Sequence, residues 1–365
     1  MKKLSLIVSL ISLLTFSMML KPATGADWKA EWDQVVAAAQ KEGTVIVGGG
    51  PGGTYRDAVM PFQKAYPGIR LEFSGIHGRE FGPKVLAERK AGRYLWDVHL
   101  GGTETALSQL KPNGVLDPLK PVLMLPEVLD GTKWFGGHED SWVDLDGQYI
   151  FQAEGRLTFI FMVNRSVAPE SELKLAEQLL EPKWKGRIVA EDPTKGGKTR
   201  GDVAHLLLVK GDDWIRKFLA QDLVIMNNGR QRAEALIKGR FAVGMGLSPT
   251  FLTPFQKAGV MDHVKELAPD TPAGARQTNG FGNLMLVNRA PHPNAAKVFI
   301  NWVLSVEGQK AHVKASGVNS RRLDVEGPPD TALKPNVKYY NINMEKYNQN
   351  NALAIKIARE VIWKK

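Results

Sequence analysis

Gly43-Thr44-Val45-Ile46-Val47 is a short apolar run, and Gly48-Gly49-Gly50-Pro51-Gly52-Gly53 follows it directly. Four β-branched residues in a row predict a buried strand, and a loop this rich in glycine lets backbone pass close to a neighbour. Thr54 to Tyr66 then has helical spacing and stops at Pro67-Gly68, after which Ile69 to Phe73 alternates as a second strand. Upstream, Trp28, Trp32, Val35, Val36 and Ala39 share one helical face. Downstream come a helix over Arg79–Lys90, a strand over Tyr94–Leu100 closed by Gly101-Gly102, and a helix over Thr103–Leu110. A second block from Phe151 to Met245 holds strands at Leu157–Val163 and Phe241–Met245, with helices near Glu170–Leu180 and Val203–Leu208. Leu284–Val287 with Ala295–Leu304 makes a third strand-helix pair, and Met344–Trp363 a last helix. Strands alternating with helices give an α/β fold with mostly parallel sheets flanked by helices.

The composition fits that reading. With 365 residues, 43% hydrophobic and 24% charged, the chain has material for about two globular domains. Met1-Lys2-Lys3, the serine-dotted apolar run Leu4–Leu20 and the small residues Ala23-Thr24-Gly25-Ala26 predict a cleaved secretory signal over residues 1–26. No later stretch is apolar enough to span a bilayer. With no cysteine, disulfides, thiolate metal sites and lipid attachment through an N-terminal cysteine are excluded. The formal charge of +10 becomes +7 without Lys2, Lys3 and Lys21. A net positive field concentrates anions. The basic residues are scattered, with no aromatic-interleaved tract, so a small anion fits better than nucleic acid.

Two motifs carry possible chemistry. Gly48-x-Gly50-x-x-Gly53 after a strand, with Glu72 about twenty residues on, matches the dinucleotide fingerprint and supports a rival reading as an exported nucleotide-dependent oxidoreductase. Pro51 stiffens that turn, Thr54-Tyr55 stands where a small residue is wanted, and an exported chain has no nicotinamide supply. Gly196-Gly197-Lys198-Thr199 resembles the end of a phosphate loop, but Asp192 occupies the place of its first glycine. That turn remains a place for an anion to rest on free N–H groups. None of the seven histidines pairs with another at metal-ligand spacing, and no Gly-x-Ser-x-Gly elbow is present. The sequence therefore predicts a binding protein with no catalytic residues, no resident metal and no cofactor.

Glu181-Pro-Lys-Trp-Lys-Gly-Arg-Ile188 resembles a recurrent segment of ABC-importer solute-binding proteins, in the family-1 branch that includes ferric-ion binders. Trp96–Leu100, Gly114–Leu119, Phe161–Arg165, Ala290–Ile300 and Val306–Gln309 are similar to further family segments in the same order. The resemblance implies a type II periplasmic binding protein. Its lobes would be 27–153 plus 280–318 and 154–279 plus 319–365, closing by a hinge on a ligand between them. It further implies a periplasmic monomer that hands a small, anionic solute to membrane permease subunits. Carried over by position, the cleft would be lined by Gly53, Thr54, Tyr55, Gly101, Gly102, Thr103, Arg156, Thr199, Arg200, Ser248, Thr250 and Asn279, with Arg156 and Arg200 as an anion clamp. Iron-binding members carry a tyrosine pair after the strand that corresponds to Phe241–Met245. Here Gly246–Leu252 has none, which leaves ferric iron, or an iron–anion complex, as the alternative cargo.

Overall fold

Fully buried Val45 and Val47 place β1 (Thr44–Gly49) inside a six-stranded sheet of the computed structural model, which describes residues 27–195, 197–278 and 282–363. The strand order is β2 (Arg70–Gly75), β1, β3 (Val98–Gly101), β13 (Asn283–Val287), β4 (Leu116–Asp117), with β5 (Phe151–Gln152) also paired to β13. β1 runs parallel to β2 and β3, and β13 returns antiparallel. Side chains alternate across β1. Val45 and Val47 join Trp32 of α1 (Asp27–Glu42) and Phe299 and Trp302 of α11 (Pro293–Leu304), while Ile46 faces Phe81 and Val85 of α4 (Gly78–Lys90). The helix expected over 54–66 is divided at Pro61 into α2 (Gly53–Val59) and α3 (Phe62–Ala65). α5 (Thr103–Thr105), α6 (Pro126–Leu129) and α12 (Val306–Ser316) complete this lobe.

The second sheet has the order β11 (Val264–Glu266), β7 (Phe161–Asn164), β10 (Val243–Met245), β8 (Ile188–Ala190), β9 (Val224–Ile225). Its main core joins Phe161, Trp184, Ile188 and Phe218 with residues of α7 (Gly197–Lys210), α8 (Asp212–Leu219) and α13 (Asn348–Ile362). α9 (Gly229–Ile237) and α10 (Pro249–Lys257) cover the other face through Leu236 and Phe251, with Leu247 of the intervening loop beside them. Trp184, the centre of the segment that resembles the importer proteins, is fully buried with Lys183 and Arg187 over its ring, so that segment is a core plug.

One expected strand turns out to be two. β6 (Arg156–Phe159) pairs antiparallel with β12 (Ala275–Thr278) in a separate ribbon, while β7 belongs to the second sheet. Buried Ile160 lies between them and donates its N–H to Gly274. The helix expected near Glu170–Leu180 is reduced to a 3₁₀ turn at Ala176–Leu180, because the Gln178 side chain accepts from the Lys174 and Leu175 amides and Pro182 follows. The segment 319–347 also contacts the first half. Arg321 bonds Phe135 and Asp140 of the first half, and Gln277 of the ribbon. The expected signal segment, 1–26, lies outside the described residues.

Candidate ligand-binding cleft

Alternation along the ribbon gives it two different faces. Arg276 and Thr278 of β12, with Arg156 and Thr158 of β6, line a cleft of about 660 Å³. Gln277 points to the opposite face, into a hollow of about 450 Å³ beside Arg321 and Tyr339. In that second hollow the Arg321 guanidinium is already engaged by Gln277, Phe135, Ser141 and Asp140, the last at 3.1 Å. Burial pulls its pKa down, with Asp140 opposing. Arg321 is thus a structural pin, and the other cations of that hollow, Lys338 and Lys346, lie over the Tyr340 and Tyr347 rings.

On the first face, four cations converge. Lys198 and Arg200 come from the first turn of α7, and Arg156 and Arg276 from the ribbon; no carboxylate is among the described residues lining the cleft. Ser248, Asn343, Asn348 and Asn351 add hydroxyl and amide groups to the wall, and Ile342 and Ile355 a little apolar surface. Beneath the cleft, wholly buried Asp202 accepts from Lys198 Nζ at 2.6 Å and from Arg276 Nε at 2.9 Å. Lys198 Nζ also donates to the Phe159 carbonyl. Burial pulls the Lys198 ammonium below the usual lysine range, against the pull of Asp202. Buried Glu154 faces Arg156 Nε at 3.4 Å and His312 Nε2 at 3.3 Å. Setting these two carboxylates against the four cations leaves a surplus of two positive charges. Asp202 fixes two donors in place, and Arg200 remains exposed at the rim.

Of the residues expected at the site, Arg156, Arg200 and Ser248 meet in this cleft. Thr250 lies in the first turn of α10, whose start Ser248 and Pro249 bring to the cleft. Buried Thr199 is turned away, its Oγ1 packed against Gly246 and without a hydrogen bond among the described residues. The first-lobe group is elsewhere. Gly53 and Thr54 are exposed at the start of α2, and Tyr55 is turned toward α12 beside Trp302 and His312. Gly101 and Gly102 lead into α5, where the buried Thr103 hydroxyl accepts from Asn283. Asn279 lies outside the described residues. Lys198, Asp202, Arg276 and the asparagines near α13 were missed by the sequence reading. The one legible signal was a lone arginine in the run Ala275–Thr278.

Gly48 and Gly49, the first glycines of the motif, and Gly101 of β3 have a packing explanation. A Cβ on Gly48 would lie 2.7 Å from the Phe81 ring, one on Gly49 2.5 Å from Phe73, and one on Gly101 2.1 Å from His99. Aromatic rings therefore occupy the room that the glycines leave. His99 stacks on Phe81 at 3.8 Å between centroids, and burial lowers its pKa to about 3, so it is a neutral core ring. No group of three or more His, Asp or Glu side chains suited to a metal occurs among the described residues. Four cations around the cleft are also the wrong donor set for a bare trivalent ion.

A model of a bacterial extracellular solute-binding protein family matches residues 57–338, over three quarters of the chain. The chain belongs to this family. As a family member it is the solute-binding component of an ABC importer. Solved structures show the same two-lobed fold at low identity. The Trichodesmium protein IdiA/FutA in complex with iron and citrate is 19% identical, with a TM-score of 0.67 over 88% of this chain and 100% of that one. Iron-bound HitA from Pseudomonas aeruginosa is 19% identical, with a TM-score of 0.58 over 87% and 99%. AfuA from Actinobacillus pleuropneumoniae, with fructose-6-phosphate bound, is 20% identical, with a TM-score of 0.56 over 87% and 98%.

Proposed function

We propose that this solute-binding protein works in the periplasm as a monomer, capturing a small organic oxyanion of the phosphate-ester class and presenting it to the membrane permease. The observation that carries the reading is the convergence of Arg156, Lys198, Arg200 and Arg276 on one cleft with no lining carboxylate among the described residues. A surplus of two charges matches a phosphate monoester dianion, and the hydroxyl and amide wall matches the hydroxyls of a sugar or polyol. The division into 27–153 plus 280–318 and 154–279 plus 319–365 belongs to the proposal, with β6 and β12 as the flexing connection. Among the described residues, the side chains lining the cleft come from the ribbon, α7, the start of α10 with its cap Ser248, or the segment through α13, so the first-lobe loops at Gly53–Thr54 and Gly102 would complete the site on closure. Iron, on this reading, enters only as an anionic chelate such as ferric citrate.

A thermal-shift panel tests this. Fructose 6-phosphate, glycerol 3-phosphate, citrate, ferric citrate, ferric chloride and neutral fructose are each added to the mature protein. Ligand at about a hundred times Kd stabilises the folded state by roughly 2.7 kcal/mol, a shift of several degrees. Phosphate esters should raise the melting temperature while fructose and ferric chloride do not. Stabilisation by neutral sugar or bare iron alone would overturn the proposal.

A further inference from the structure

The start of α7, where the sequence leaves room for an anion, holds one from the chain itself. Glu191 directly follows β8, and its Oε2 accepts from the Thr199 amide at 3.4 Å. Two left-handed glycines make the space. A Cβ on Gly197 (φ +78) would lie 2.4 Å from Glu191 Oε2; one on Gly246 (φ +75) would lie 1.9 Å from Thr199 Oγ1 and 3.5 Å from Glu191 Cβ. Two buried donors surround this corner without full partners. Thr199 Oγ1 makes no hydrogen bond among the described residues. Fully buried Arg232 donates to the Met226 and Gly246 carbonyls while its Nε has no partner among the described residues, and the charge of Glu191 acts on it. Helix amide, hydroxyl and guanidinium together are the donor set for a tetrahedral oxyanion, yet here they meet a planar carboxylate through one long bond.

We propose that Glu191 is a tethered anion that occupies this corner in the unliganded protein and is displaced by the phosphoryl group of the solute. The inference rests on the phosphate-ester reading above and adds a built-in competitor to it. Glu191 is only half-buried, so its carboxylate can swing to solvent with the backbone of β8 in place. A tethered competitor acts at a high effective concentration, so weakly binding monoanions fail to displace it. The corner adjoins the cationic cleft through Gly197, Lys198 and Ser248, which places the phosphoryl end of a solute near Glu191 and its hydroxyl end near the asparagines of α13.

The test titrates inorganic phosphate calorimetrically into wild type, Glu191→Ala and Glu191→Gln. Opening the corner should tighten phosphate binding by about tenfold in Glu191→Ala, with a smaller gain in Glu191→Gln. Phosphate should also restore the melting temperature that Glu191→Ala loses in phosphate-free buffer. Phosphate binding equal to or weaker than wild type in both variants overturns the inference; if the alanine variant does not fold, the glutamine variant decides it alone. Arg156→Ala, titrated with fructose 6-phosphate, separates the two ideas. An unchanged affinity there sinks the cleft reading, whereas an impaired Arg156→Ala beside an unimproved Glu191→Ala removes only the tethered anion.

Discussion

Replacing Asp202 with asparagine should be among the most damaging single changes to the second lobe. The carboxylate is wholly buried, with Lys198 Nζ at 2.6 Å and Arg276 Nε at 2.9 Å, and those two side chains are only 13% and 6% exposed. At an effective dielectric of about 20, each contact represents roughly 6 kcal/mol of gross attraction, most of it offset by desolvation. Removing the carboxylate leaves both cations buried without their counter-charge, and changes of this kind cost about 3–5 kcal/mol. For a folding unit of 150–250 residues that lowers the melting temperature by on the order of 10 °C. Scanning calorimetry and urea unfolding measure it. Asp213→Asn is the control, since its i,i+4 pair with Lys217 is exposed, 84% and 60%, and its loss should cost under about 0.5 kcal/mol. A cost below about 1 kcal/mol for Asp202→Asn, or one equal to the control, would refute the claim that the triad is a buried, mutually dependent unit.

Acid should destabilise the fold through two buried imidazoles. Burial lowers His99 to about 3 and His205 to about 4 from 6.5, so between pH 6.5 and 4 the unfolded chain binds protons that the folded chain refuses. Stability therefore falls as pH drops through that window, by about 2 kcal/mol per histidine at pH 5. Urea unfolding at pH 7.5 and 5 should show this, and a His205→Asn variant should lose its share of the drop; an identical pH dependence in the variant would contradict the assignment. Trp184→Ala should cost about 3–5 kcal/mol through the cavity it leaves, checked by denaturant midpoint, and a loss under 1 kcal/mol would mean that the plug is not packed as described. Arg156→Ala and Arg200→Ala should each weaken binding of a phosphate ester by about 10- to 100-fold, as loss of charge-assisted bonds; the melting temperature should hardly change for exposed Arg200 and should fall for Arg156, the partner of buried Glu154, and calorimetric titration decides the binding effect.

What the sequence made legible follows from where each signal resides. Val45, Ile46 and Val47 declare β1 locally, because burial on both faces of a parallel strand needs nothing beyond an apolar run. The run Leu157–Val163 carries no mark at Ile160 to show that its hydrogen-bond partner changes from β12 to the second sheet, since the pairing residues lie 80 or more positions away. Arg156, Arg200 and Ser248 could be placed by analogy with the ends of strands. Lys198 and Arg276 could not, because their meaning comes from Asp202, which in sequence is an ordinary helical aspartate. Glu191 is an ordinary carboxylate in sequence for the same reason. Its role depends on Gly197 and Gly246, which are 49 positions apart and meet only in the folded lobe.

Small-angle scattering of the mature protein, with and without a saturating phosphate ester chosen from the thermal-shift panel, bears most directly on capture by closure. Two lobes folding toward each other about β6 and β12 should give a smaller radius of gyration with ligand, and Arg156→Ala should need more ligand to reach it. A profile that stays unchanged when calorimetry shows the site to be full would contradict closure around the anion.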